Sequence, residues 1–158
     1  MNEQKFRKKV LEESKDRLNR VEGVVLVFQQ GDRFLLEFNE NWETFAFPST
    51  KRREFVFEGV FPKPLLEEDS VAAARAAFEI LCRTTDPAEI GKPKFRFEDI
   101  IQSMRDGSWK VYHFAVYVLD WPAGETANPG RITEWLTKEE ILKRQPISPT
   151  AVAILEKL

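Results

Sequence analysis

Seven side chains in the middle of this sequence have the types and spacing for chemistry on a phosphate. Lys51-Arg52-Arg53 follows Phe47-Pro48-Ser49-Thr50, and Arg75 and Arg83 come downstream, with Glu67 ahead of Arg75 and Glu79 between the two arginines. Guanidinium and ammonium groups hold phosphate oxygens without a metal. Carboxylates supply the hard oxygen ligands that Mg²⁺ requires, commonly together with substrate phosphates. Trp42, Phe45 and Tyr112 add flat rings on which a base can stack. On a helix, Arg75, Glu79 and Arg83 stand four residues apart with a summed charge of +1, which also describes a salt-bridged surface ladder. The lone histidine, His113, lies mid-strand and reads as a core or half-buried side chain. The single cysteine, Cys82, excludes an intrachain disulfide and a multi-cysteine metal site. Its place in a helical pattern predicts a buried thiol. No glycine-rich phosphate loop, His/Cys cluster or G-x-S-x-G elbow occurs.

These residues sit in a chain of 158, enough for one domain with a sizeable core. The 42% hydrophobic and 32% charged residues are ordinary for a soluble globular protein, and thirteen Phe and four Trp predict an aromatic-rich interior. A net charge of −2 and a pI of about 5.6 give no global attraction for nucleic acid. The short basic runs Lys51-Arg52-Arg53 and Arg7-Lys8-Lys9 also read as solvated surface. No apolar run approaches the ~20 residues of a membrane span, and the charged N-terminus is unlike a signal, so a cytoplasmic location away from membranes is expected.

The elements that must position the candidate residues can be laid out along the chain. Residues 3–21, rich in Glu, Lys and Arg, are expected to form a helix, and positions 1–21 a helical extension. Phe6, Val10, Leu18 and Val21 make a weak stripe suited to a peripheral or dimer contact. Residues 22–158 then make a single domain. Val24–Phe28 and Arg33–Phe38 predict a hairpin, Trp42–Phe47 a third strand stopped by Pro48, and residues 54–60 a short fourth, broken by Pro62 and Pro64. From Val71 to Thr84 the pattern is helical, capped by Asp69 or Ser70, with Val71, Ala74, Phe78, Leu81 and Cys82 as the core stripe. Asp86-Pro87 ends that helix, and a linker follows. Lys94–Met104 and Trp109–Leu119 predict a second hairpin around Arg105-Asp106-Gly107-Ser108. Arg131–Leu136 reads as a short strand, Thr137 with Glu140 as a capping box, and Ser148-Pro149-Thr150 as the start of the last helix. Because hairpins dominate, the expected class is α/β: an α/β/α sandwich around a mixed, hairpin-rich sheet, with an extra N-terminal helix.

This order, together with the central motif, resembles the Nudix hydrolase superfamily, whose box reads G-x5-E-x7-R-E-U-x-E-E-x-G-U with U aliphatic. The likeness covers roughly residues 22–157. Glu67 and Arg75 meet the Glu-x7-Arg spacing, and Phe47-Pro48-Ser49-Thr50-Lys51 stands where the family usually shows Leu-Pro-Gly-Gly-Lys. Ser49 and Thr50 lack the easy access to positive φ that glycine has. About eleven extra residues separate this turn from Glu67. The position after the arginine is Ala76, the paired glutamates are Glu79 and Ile80, and the closing glycine is Cys82. At about 100° per residue, the resemblance places Ala76, Glu79 and Ile80 on one ligand-bearing side, away from the expected core stripe. It implies a Mg²⁺-dependent hydrolase of nucleoside diphosphates linked to another moiety, with Glu67 and Glu79 as metal ligands and Arg75 orienting a glutamate. Glu68 and Asp69 read as favourable charge at a helix N-terminus, and Glu98 and Asp99 as exposed hairpin residues.

With no acid at Ala76 or Ile80, the preferred expectation is a Nudix-fold protein with a degraded box. It would bind a nucleotide or diphosphate-type ligand with little or no turnover and would require no cofactor. Lys51, Arg52, Arg53, Arg75 and Arg83 would hold phosphates, and Trp42, Phe45 or Tyr112 a base. The Mg²⁺-dependent hydrolase is the alternative. A protein-interaction module using the N-terminal helix is a third reading, and a homodimer is compatible with it.

Overall fold

The longest strand of the sheet, β1 (Asn19–Gln30), overruns the apolar segment Val24–Phe28 at both ends. In the computed structural model, which describes residues 5, 6, 9, 12, 13, 19–56, 59, 60, 64–102 and 107–158, the described positions before residue 14 are helical. Asn19–Val21, expected to finish that helix, already belong to β1. Arg7, Lys8, Val10, Leu18, Pro62, Arg105 and Asp106, all singled out in the sequence, lie outside the described residues.

The overrun has a cause. A second long strand, Trp109–Asp120, pairs with β1 in parallel from Asn19↔Lys110 to Gln29↔Asp120. Phe95–Gln102 pairs antiparallel with that strand and closes this edge of the sheet. On its other side β1 changes neighbour. Gly31, at φ 62°, turns the chain into β2 (Arg33–Asn39), which pairs with the end of β1 at Gln29↔Phe34 and Gln30↔Arg33. The start of β1 instead meets Ser49–Lys51, from Gly23↔Lys51 to Val25↔Ser49. Those three residues form a strand where the sequence suggested a turn. Without glycine at 49 or 50, extended backbone is the accessible conformation, and the Leu26 N–H donating to the Pro48 carbonyl at 2.8 Å hands the pairing over. Thr44–Ala46 and Thr133–Thr137 flank β2 and complete a seven-stranded mixed sheet. The extra residues before Glu67 fold back separately, pairing Glu54–Val56 with Pro64–Leu66. Pro64, expected to break a strand, begins one, a position that proline tolerates.

Period-two alternation sends the apolar side chains of the sheet to two layers. Val24, Leu26, Phe28, Ala115 and Tyr117 pack under the central helix (Asp69–Leu81), and Val25, Val27, Phe114 and Val116 under the helices Lys138–Lys143 and Pro149–Glu156. The result is an α/β/α sandwich.

The central helix buries only part of the expected stripe. Ala74 and Leu81 are buried as expected, together with Ala72, Ala73, Ala76, Ala77 and Ile80, whereas Val71 and Phe78 are 39% and 51% exposed. Small side chains let the helix backbone approach the sheet, where Phe28 and Tyr117, with Trp121 just past the strand end, are large. The helix begins after Glu68, which makes no side-chain cap, and ends at Cys82. Cys82 takes the left-handed conformation, φ 56°, with its N–H donating to the Phe78 carbonyl at 2.8 Å. That turn carries the thiol out of the helical stripe, so Cys82 is exposed where a buried thiol was expected. Asp86 then caps a short helix, Pro87–Ile90, in place of a linker, by accepting from the Ala88 N–H. Thr137 and Glu140 form the capping box in both directions. Half-buried His113 lies 2.9 Å from Glu98. Asp99 is buried, contrary to expectation, because it accepts a 2.6 Å hydrogen bond from Thr150 Oγ1 of the last helix. Among the described residues no helix is long and apolar enough to cross a membrane.

Candidate functional site

Where β1 exchanges one neighbour for the other, the sheet leaves a groove of about 510 Å³, within the size range of small-molecule sites. Gly23, Tyr112 and Phe114 form its floor, Asn39, Asn41 and Trp42 one wall, and Ser49, Thr50 and Lys51 the other. The glycine keeps this approach close. A Cβ at position 23 would stand 3.0 Å from the Thr50 carbonyl oxygen and 3.2 Å from the Phe114 ring. Tyr112 stacks on Phe114 at 5.4 Å between centroids, and Trp42 meets Tyr112 edge-to-face at 6.4 Å. Among the described residues the charge around these rings has one sign: Lys51, Arg53, Arg75 and Lys110 line the groove, and no described lining residue is Asp or Glu.

Arg75 is held in place by three acceptors. Its guanidinium donates to Thr50 Oγ1 at 2.9 Å, to the Lys51 carbonyl at 2.8 Å and to Glu67 Oε1 at 2.8 Å. Its buried Nε–H has no partner among the described residues. Glu67, 7% exposed, also accepts the Arg53 N–H at 3.1 Å, and its own N–H donates to the Arg53 carbonyl at 2.7 Å. Glu67 therefore fastens the groove wall to the start of the central helix. Burial alone would raise its pKa, but the Arg75 hydrogen bond, the Arg53 N–H and the charges of both arginines outweigh burial and hold the carboxyl below its ordinary value. A depressed carboxyl contributes stability that is present above its unfolded pKa and is lost as pH falls through the folded one. Glu67→Gln is thus expected to cost about 2 kcal/mol at neutral pH and to flatten the acid limb of a urea-midpoint series. A variant that loses stability with acid as steeply as the parent would contradict this role.

The remaining candidates separate. Lys51, Arg53, Arg75, Trp42 and Tyr112 meet at the groove. Arg52 turns away, its Nε reaching the Glu67 carbonyl and lying 3.3 Å from Asp69, which also pairs with Arg96. Arg83 pairs with Glu125 at 3.5 Å, at the far end of the central helix. Phe45 is buried in the core, edge-to-face with Phe38 and beneath the Arg144 guanidinium at 4.2 Å, so it offers no surface to a base. The groove also uses Lys110, Asn39, Asn41, Gly23 and Phe114, which sequence reasoning had passed over. Lys110, Tyr112 and Phe114 are spaced two apart on one strand and so share a face, a signal that would have found two of them.

Glu79 does not ladder with Arg75 and Arg83. Its carboxylate is 3.6 Å from Arg131, whose guanidinium also makes a two-pronged bond, 2.8 Å on each side, to the buried carboxylate of Glu37. Burial raises the pKa of Glu37, Arg131 opposes this, and the charge of Glu79 adds to the rise. Ala76 and Ile80, on the side expected to bear metal ligands, are 4% and 1% exposed within the apolar cluster that contains Phe28, Leu35 and Tyr117. Among the described residues no three or more His, Cys, Asp or Glu side chains gather as a metal site.

No protein-family model matches the sequence, and no curated protein matches it. Solved structures do match in fold. A MutT Nudix hydrolase from Burkholderia pseudomallei superposes with a TM-score of 0.60 at 17% identity, over 89% of this chain and 98% of that one. A MutT protein from Methanosarcina mazei Go1 gives 0.60 at 14% identity, over 89% and 93%. The Nudix domain of Shewanella oneidensis NrtR, solved as a complex with ADP ribose, gives 0.51 at 14% identity, over 99% and 96%. These likenesses establish the fold.

Proposed function

We propose that this chain, a Nudix-fold protein, binds a nucleotide or diphosphate-type ligand in the groove over Gly23 with little or no turnover. The observation that carries the reading is the lining: Lys51, Arg53, Arg75 and Lys110, with no carboxylate among the described residues, beside Trp42 and Tyr112. Ammonium and guanidinium groups suit phosphate oxygens, and the aromatic wall suits a base. A degraded box is supported by Ala76 and Ile80, which lie in apolar packing where the family pattern has acids, and by Glu79, which faces Arg131. The fold relative solved with ADP ribose supports the ligand class. No cofactor is needed for binding of this kind.

Thermal shift with ADP-ribose, nucleoside diphosphates and dinucleoside polyphosphates tests the reading. A ligand at a hundred times its Kd stabilises the folded state by about 2.7 kcal/mol, a rise of several degrees in Tm. At least one ligand of this class is expected to give that rise, and Arg53→Ala with Lys110→Ala to abolish it. No shift with any of them, or an undiminished shift in the double variant, would overturn the assignment.

A further inference from the structure

We infer that the groove selects diphosphates free of divalent metal, so that Mg²⁺ opposes binding; this rests on the groove being the ligand site proposed above. Lys51, Arg53 and Lys110 line the groove and make no ion pair among the described residues, whereas Arg75 is engaged by Glu67 at 2.8 Å. These side chains and Mg²⁺ compete for the same phosphate oxygens. A metal-complexed diphosphate has given up negative charge that the cations would otherwise meet, and it brings a further cation among them.

Among the described residues the protein offers that ion little in return. A metal bridging protein and phosphate needs hard oxygen ligands on the protein side. Here the acids next to the groove wall are already taken, Glu67 by Arg75 and Asp69 by Arg52 and Arg96. On the central helix, Ala76 and Ile80 are packed into the core, and Glu79 has a guanidinium as neighbour in place of an ion. Fixed protein cations thus occupy the electrostatic role of the metal, and the two exclude each other.

Calorimetric titration with the sodium salt of ADP, in EDTA and in millimolar Mg²⁺ at matched ionic strength, tests this. Binding is expected to weaken at least about tenfold in Mg²⁺, about 1.4 kcal/mol. AMP, which chelates Mg²⁺ weakly, should change little. ADP binding that is unchanged or tighter in Mg²⁺ would overturn the inference while leaving the ligand site intact. Equal weakening of ADP and AMP would overturn it too, because screening alone would then account for the effect. No binding in either buffer would remove the ligand reading and this inference together.

Discussion

Replacing Ile80 by Glu, which restores the family's acid at that position, is expected to destabilise the protein by about 4 kcal/mol or more and to create no Mg²⁺ site. Ile80 is 1% exposed and sits against Ala76, Ala77 and the large residues of the facing sheet. A carboxylate there has neither water nor a counter-charge, so it must be protonated or remain as an unpaired buried charge. Either state raises the energy of the folded form, against a total stability of about 5–15 kcal/mol for a domain. Millimolar Mg²⁺ should leave the urea midpoint of the variant where it was. If Ile80→Glu instead folds with the parent's midpoint and gains stability from Mg²⁺, the packed face is a latent metal site and the reading of the helix is wrong.

The second large effect is expected at Arg131. Among the described residues its guanidinium is the one side-chain partner of both carboxylate oxygens of Glu37, which is 4% exposed, and it lies 3.6 Å from Glu79. Arg131→Ala leaves a buried carboxylate uncompensated, at a cost of about 3 kcal/mol at neutral pH. The sign of the pH dependence follows from Glu37. Burial already raises its pKa, and losing Arg131 removes the influence that opposes burial. An acid with a raised folded pKa favours folding at low pH and loses that contribution as pH rises through the folded value. The deficit of Arg131→Ala should therefore shrink on moderate acidification, and Arg131→Met with Glu37→Leu should recover most of it. Urea denaturation at neutral and mildly acidic pH measures all three variants. A neutral-pH loss within about 0.5 kcal/mol, the scatter of ordinary surface changes, would show that the pair is not compensating a buried charge.

Both predictions concern features that the sequence hid, for physical reasons. Arg131 and Glu37 lie 94 residues apart, and no local pattern links them. The central helix is apolar at positions 71–74, 76–78 and 80–82, so periodicity alone does not select the buried face. The large side chains of the facing sheet select it, by taking the alanines together with Ile80 and Leu81 and leaving Val71 and Phe78 outside. The unbroken apolar run Val24–Phe28, the strand pattern of Tyr112–Val118 with apolar residues on both faces, and the capping residues Thr137 and Glu140 did make the sheet and its later helices readable. So was part of the groove. The basic run Lys51–Arg53 splits where the chain leaves its strand at Lys51: Lys51 and Arg53 line the groove, and Arg52 turns to Asp69. Phe45 went astray because its cover, Arg144 and the bridge to Ile147, comes from a distant part of the chain.

Binding without turnover is tested most directly by phosphorus NMR of ADP-ribose mixed with stoichiometric protein in the presence of Mg²⁺, followed over hours and then repeated after adding EDTA. The account predicts diphosphate resonances that shift or broaden with protein, more so in EDTA, and that persist without new signals. Phosphate-monoester resonances growing in with Mg²⁺ would show cleavage and contradict it, and Arg53→Ala with Lys110→Ala would then be read as variants of an enzyme.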